Sequence, residues 1–132
     1  AIDKRFFPTL KSRVIAMNNN GTNIYNYPKK VILQISDTEI TDYLEMAKRI
    51  NHKSDVKLIN IQHEFGIFGG EHGEYLIPFL EVLRKPVVIT FHSILPSPNE
   101  KLKKIVNEIA KRVDAIIVMT KKELRFYVNI IK

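Results

Sequence analysis

Residues 58–75 read Leu-Ile-Asn-Ile-Gln-His-Glu-Phe-Gly-Ile-Phe-Gly-Gly-Glu-His-Gly-Glu-Tyr, a β-branched apolar run that breaks into a loop holding four of the chain's five glycines. Beyond it, Tyr75, Leu76, Phe79, Leu80 and Leu83 recur at helical spacing. Strand, tight loop and helix in that order begin a βαβ unit. Pro78 lies inside the helical pattern, so the helix either starts late or kinks there.

Working outward, four more β-branched runs appear: Arg13 to Asn18, Val31 to Ser36, Pro86 to His92 and Ala115 to Thr120. Amphipathic stretches separate most of them. Ile40, Tyr43, Leu44, Ala47 and Ile50 predict a helix over 38–51, with Ser36 or Asp37 as its cap. Ser97-Pro98-Asn99-Glu100 combines a capping Ser, a Pro suited to the first helical position and a Glu at the third, ahead of Leu102, Ile105, Val106, Ile109 and Val113. Thr120-Lys121-Lys122-Glu123 repeats the capping-box pattern before a last helix. Residues 19–30 read as a polar loop, and Pro8 argues against a regular helix through 1–12. The last three strands are nearly continuous apolar runs, as expected where helices cover both faces of a sheet. The expectation is an α/β fold: one three-layer Rossmann-like domain over 1–132 with a mainly parallel sheet.

The 132 residues carry 21 Lys+Arg against 14 Asp+Glu, a formal charge of +7, and no Cys. One core is feasible at this length. Without cysteine there is no disulfide framework, thiolate metal site or cysteine nucleophile. No window approaches the ~18 apolar residues of a membrane span, so a cytoplasmic protein is expected, with any membrane contact peripheral and at the inner face. The positive charge admits an anionic membrane surface, a phosphorylated ligand or nucleic acid. Nucleic acid has no motif here beyond charge and is not an expected partner. The basic residues of the last two helices, Lys101, Lys103, Lys104, Lys111, Arg112, Lys121 and Lys122, define an interaction-module alternative.

Ligands of open α/β sheets bind at the carboxyl ends of the strands. Two segments fall there: the glycine-rich loop from Gln62, and Thr90-Phe91-His92-Ser93. Closely spaced glycines let backbone approach a ligand, and N–H groups leading into a helix can hold an anion or hydroxyls. His63, Glu64, His72 and His92 are the only grouping that suggests a metal, and they lack the HExxH spacing, so no metal is expected. No GxSxG elbow surrounds Ser93.

These same segments resemble the N-terminal domain of the group 1, or family 4, retaining glycosyltransferases of the GT-B fold. The resemblance rests on Gln62 to Gly70 (QHEFGIFGG), Gly73-Glu74-Tyr75, Pro86 to His92 (PVVITFH), Pro96 and Pro98, and Val118-Met119-Thr120, in the family's order over about residues 31–127. It implies transfer of a sugar from a nucleotide-sugar donor to an acceptor with retention of anomeric configuration, and no cofactor beyond that co-substrate. It also implies that this chain supplies the acceptor side of a cleft, the donor being held by a C-terminal catalytic domain or a separate catalytic subunit. On that resemblance His92 positions the transferred sugar. His63, Glu64, Gly69, Gly70 and Glu71 border the cleft, with Thr90 and Ser93 beside them as substrate-binding candidates. The expected partner is a sugar acceptor, with lipid, glycan and small molecule all open and a lipid-linked one among them. The family's Glu-x7-Glu pair has no counterpart: Glu100 and Glu108 fall on the predicted 100–113 helix. The family's first strand has no counterpart either, unless residues 1–12 substitute for it. Alone, the chain is expected to be inactive. The alternative is a non-catalytic subunit or basic module that docks on a catalytic chain or an anionic membrane.

Overall fold

The computed structural model describes residues 2–6, 8–19, 25–93 and 98–130. Among the described residues five strands form, all paired in parallel, as the β-branched runs predict. β1 (Val14–Asn18) pairs with β2 (Val31–Ser36), and β3 (Ile59–His63), β4 (Val87–Phe91) and β5 (Ala115–Val118) form a second sheet in that order. With α2 (Ile40–Asn51), α3 (Leu76–Val82), α4 (Glu100–Ala110) and α5 (Lys121–Ile130) between and after them, the fold is α/β and Rossmann-like. The short α1 (Ile2–Phe6) ends before Pro8. No described residue of 2–13 joins a strand, so this segment does not substitute for an additional one.

Local sequence explains where the helices start. Pro78 is the third residue of α3, inside the first turn, where a missing N–H breaks no helical bond, so the helix starts late instead of kinking. In α4 the cap is Asn99, whose side chain accepts a hydrogen bond from the Leu102 N–H at 2.8 Å; Ser97, the expected cap, lies outside the described residues. For α2 the capping residue is Glu39, without a side-chain cap, in place of Ser36 or Asp37. The α5 box forms as expected. Thr120 Oγ1 accepts from the Glu123 N–H at 3.2 Å, and Glu123 Oε2 accepts from the N–H groups of Met119 and Thr120 at 2.7 and 2.8 Å.

A single buried cluster draws on both sheets. Ile35 of β2 meets Tyr43, Met46, Ala47 and Ile50 of α2, then Ile61, Ile89 and Phe91 of the second sheet, Leu76, Phe79 and Leu80 of α3, and Leu102, Ile105, Val106 and Ile109 of α4. Because strand side chains alternate, the opposite face presents Ile32 and Gln34 on β2, Asn60 and Gln62 on β3, and Ile117 on β5, all exposed. The α/β, Rossmann-like architecture is the one expected, with its parallel strands divided between two sheets. Strands β3, β4 and β5 succeed one another in space as in sequence, and right-handed crossovers stepping one way lay their helices on one face. The β1–β2 connection holds no helix among its described residues that could cover the other face. Among the described residues, no helix is long and apolar enough to cross a membrane.

Candidate functional site

The carboxyl ends of β3 and β4 lie side by side, with Gln62 in register with Thr90 and His63 with Phe91. Alternation puts Asn60, Gln62 and Thr90 on one face, where Asn60 and Gln62 are exposed and Thr90 is buried. There Gln62 Nε2 donates to Asn60 Oδ1 at 2.7 Å and reaches Thr90 Oγ1 at 3.4 Å, while its Oε1 lies 2.8 Å from His92 Nε2. That contact makes His92 the Nε2–H tautomer and leaves Nδ1 as an acceptor at the strand tip. The His92 N–H itself donates to the His63 carbonyl at 3.0 Å, which extends the strand pairing one residue and fixes the tip. Next to it the Ser93 hydroxyl donates to Glu64 Oε1, and the Ser93 carbonyl accepts from Tyr127 Oη of α5 at 3.1 Å. Burial holds the Tyr127 phenol far above its ordinary pKa, so it stays a donor. The outcome is a cluster of amide, imidazole, hydroxyl and carboxylate groups, with Gln62 and His92 exposed and Glu64 and Ser93 half-buried.

The floor beneath is dry. His63 is 1% exposed and sits among Phe65, Phe68 and Phe91, with ring centroids 4.9, 5.4 and 4.8 Å away. Neither ring nitrogen has a hydrogen-bond partner. Burial pushes its pKa down to about 4, with the Glu64 charge opposing and His92 adding to the shift, so the ring is neutral at pH 7. His63 therefore does not border the cleft as the resemblance implies. It supports the loop from below.

The glycines shape the loop. A Cβ on Gly69 would lie 1.6 Å from the Asp37 carbonyl oxygen and 2.6 Å from Tyr75 Cδ2, so the loop can lie against the end of β2 only with glycine there. The Gly69 N–H donates to Tyr43 Oη at 2.8 Å, tying the loop to α2. Gly70 has φ +76° and could not carry a side chain without meeting the Tyr75 ring. These two glycines thus have structural duties at the expected cleft edge. Glu71 opens a 3-10 turn (Glu71–Gly73) and is ion-paired with Lys101 of α4, whose ammonium also lies 3.6 Å from Glu74. That pairing holds the Glu71 carboxyl below its usual range.

Of the residues expected at the site, Glu64, Thr90, His92 and Ser93 are brought together. Glu71 is engaged by Lys101, and His63, Gly69 and Gly70 build the loop. Among the described residues no group of three or more His, Asp or Glu side chains is placed to hold a metal ion, and His63 and His72 point into separate surroundings. Asn60 and Gln62 were not singled out from the sequence. Their signal is the period of two in Ile59-Asn60-Ile61-Gln62, which puts two amides on one face of an otherwise apolar strand. No protein family matches the chain, and neither a curated protein nor a solved structure matches it significantly.

Proposed function

We propose that this chain forms the acceptor-side half of a glycosyltransferase cleft, a retaining enzyme that moves a sugar from a nucleotide-sugar donor to an acceptor at the cytoplasmic side of a membrane. The observation that carries the reading is the cluster Asn60–Gln62–His92 with Glu64–Ser93 at the parallel strand ends. Neutral amides, an imidazole and a carboxylate are the groups that bind sugar hydroxyls. His92 acts by holding a hydroxyl in place through Nδ1, since Gln62 fixes its tautomer; no step gives it a nucleophilic role. Donor phosphates and ribose fall to a catalytic domain or separate subunit, so the isolated chain binds without turnover. β1, β2, β3 and β5 each have one edge without a strand partner among the described residues, which favours a body that another domain or subunit completes.

The test is amide chemical-shift mapping of the labelled chain with glucose, mannose and N-acetylglucosamine, each added separately. The expected result is saturable shifts confined to residues 60–64 and 90–93 for at least one sugar, lost in His92→Ala and Gln62→Ala. No shift with any of the three overturns the reading.

A further inference from the structure

We infer that the carboxyl end of the β1–β2 ribbon is a second sugar-binding subsite, which makes the acceptor a glycan of at least two residues. The inference rests on the sugar reading of the β3 and β4 strand ends and names its substrate class. The sequence at this end is unlike the rest of the chain. Residues 14–28 hold no Asp, Glu, Lys or Arg in a chain that is 27% charged, and residues 18–26 hold five of its ten asparagines. Two of the five tyrosines, Tyr25 and Tyr27, stand there as well.

The fold turns these residues into one surface. Ala16 is in register with Gln34 and Asn18 with Ser36, so Asn18 and Gln34 share the ribbon face turned away from Ile35 and the core. The Tyr27 hydroxyl donates to Asn18 Oδ1 at 2.7 Å, and Asn18 Nδ2 donates to Gln34 Oε1 at 2.6 Å. The Tyr25 hydroxyl donates to Asn19 Oδ1, and the two tyrosine rings lie 5.6 Å apart, tilted by 40°. Tyr25 is 40% exposed and Tyr27 half-buried, whereas the other three tyrosines lie in the core or pack against it. Gln34 is exposed, and its amide N–H groups have no acceptor among the described residues.

These groups select among ligands. The negative face of an aromatic ring attracts the polarised C–H groups of a pyranose, and amide N–H groups bind its hydroxyls. A phosphorylated or nucleic-acid ligand needs cations, and residues 14–28 supply none. The Lys30 carbonyl accepts from the Val14 N–H, which places that lysine at the other end of the ribbon, and the charges next to Ser36 on the near end, Asp37 and Asp42, are negative. The two sugar sites also share a foundation. The Asn18 carbonyl accepts from the Asp37 N–H at 2.9 Å, and the Asp37 carbonyl lies against Gly69 of the loop that follows β3. One sugar residue then sits at His92, and the next residue of the glycan packs on Tyr25 and Tyr27.

Amide chemical-shift mapping of the labelled chain tests this with maltotriose, mannotriose and triacetylchitotriose, each beside its own monosaccharide. Monosaccharides are expected to shift residues 60–64 and 90–93 alone. At least one trisaccharide is expected to shift 16–19, 25–27 and 34 as well, with a Kd about tenfold lower. Tyr25→Ala should raise the trisaccharide Kd to that of the monosaccharide and leave the monosaccharide Kd unchanged, while Tyr25→Phe, which keeps the ring, retains most of the affinity. Gln34→Ala should weaken the trisaccharide about fivefold. The dispersion of the same amide spectra shows whether each variant is folded. Trisaccharide shifts confined to 60–64 and 90–93, or native affinity in Tyr25→Ala, overturn the subsite and leave the strand-end reading standing. Shifts at 16–19 and 25–27 alone support sugar binding here and overturn the strand-end reading instead, and no shift at either place overturns both.

Discussion

An imidazole enclosed by three phenyl rings has no solvent to stabilise its charged form, so His63 stays neutral in the folded chain at pH values where the unfolded chain protonates it. The folded pKa, about 4, lies below the ordinary 6.5, and the unfolded state therefore takes up the proton first as pH falls. Stability from this group is fully present above pH 6.5, declines between 6.5 and 4, and changes no further below. At about 1.4 kcal/mol per pH unit the decline amounts to roughly 3 kcal/mol. Urea midpoints across that window should fall with pH in the native chain and stay much flatter in His63→Leu; an unchanged slope in the variant would assign the effect elsewhere. Glycine substitutions give a second contrast at this scale. Gly69→Ala drives a methyl into the Asp37 carbonyl and should cost about 3 kcal/mol or more, since backbone must move. Gly66→Ala meets nothing within 4 Å and should shift stability by no more than about 0.5 kcal/mol. Thermal melts of the two variants compare them directly; equal losses would show that the loop does not depend on its contact with β2.

Helix starts and strand faces show what could be read in advance and what could not. The α5 capping box was legible because Thr120 and Glu123 satisfy each other within four residues, a purely local arrangement. Thr120→Ala should lower stability by about 1 kcal/mol. Glu123→Ala should cost more, about 1.5–3 kcal/mol, because a carboxylate only 8% exposed accepts two backbone N–H groups that would be left unpaired. Chemical denaturation of both variants checks the order, and a Thr120 effect exceeding that of Glu123 would contradict it. The start of α4 was less legible, since Ser97 and Asn99 are both good caps and only the geometry at Leu102 selects Asn99. His92, Glu64 and Ser93 could be singled out in the sequence because they follow strands, and the structure brings them close together. His63 was misplaced because a motif string conveys proximity in sequence but not side. The strand period that turns Ile59 and Ile61 toward the core buries His63 with Ile61 and turns Asn60 and Gln62 outward.

Across the whole molecule, five parallel strands were readable from β-branched runs, but their division into two sheets was not, because parallel pairing joins residues far apart in sequence and leaves no local mark. Among the described residues only β4 is paired along both edges; it also carries Ile89 and Phe91, fully buried in the core with Tyr127 beside Phe91. β1 and β2 form an isolated two-stranded ribbon in which Ile35 alone is fully buried, held to the rest through α2 and the contact of Gly69 with Tyr43 and Asp37. A ribbon of two strands is marginal by itself. Opening β1 and β2 therefore exposes much less apolar surface than opening β4, and the two should separate in native-state hydrogen exchange. Amides of Val87–Phe91 are expected to exchange slowest, near the rate set by global unfolding, while those of Val14–Asn18 and Val31–Ser36 exchange by a smaller opening with weaker denaturant dependence. Equal protection of both sheets would mean that the free edges are closed by contacts other than those described. The strand-end cluster should follow the slow set, because Gln62 and His92 hang from β3 and β4. If the proposed sugar site is right, a sugar bound there would add protection to residues 60–64 and 90–93 while leaving β1 and β2 unchanged.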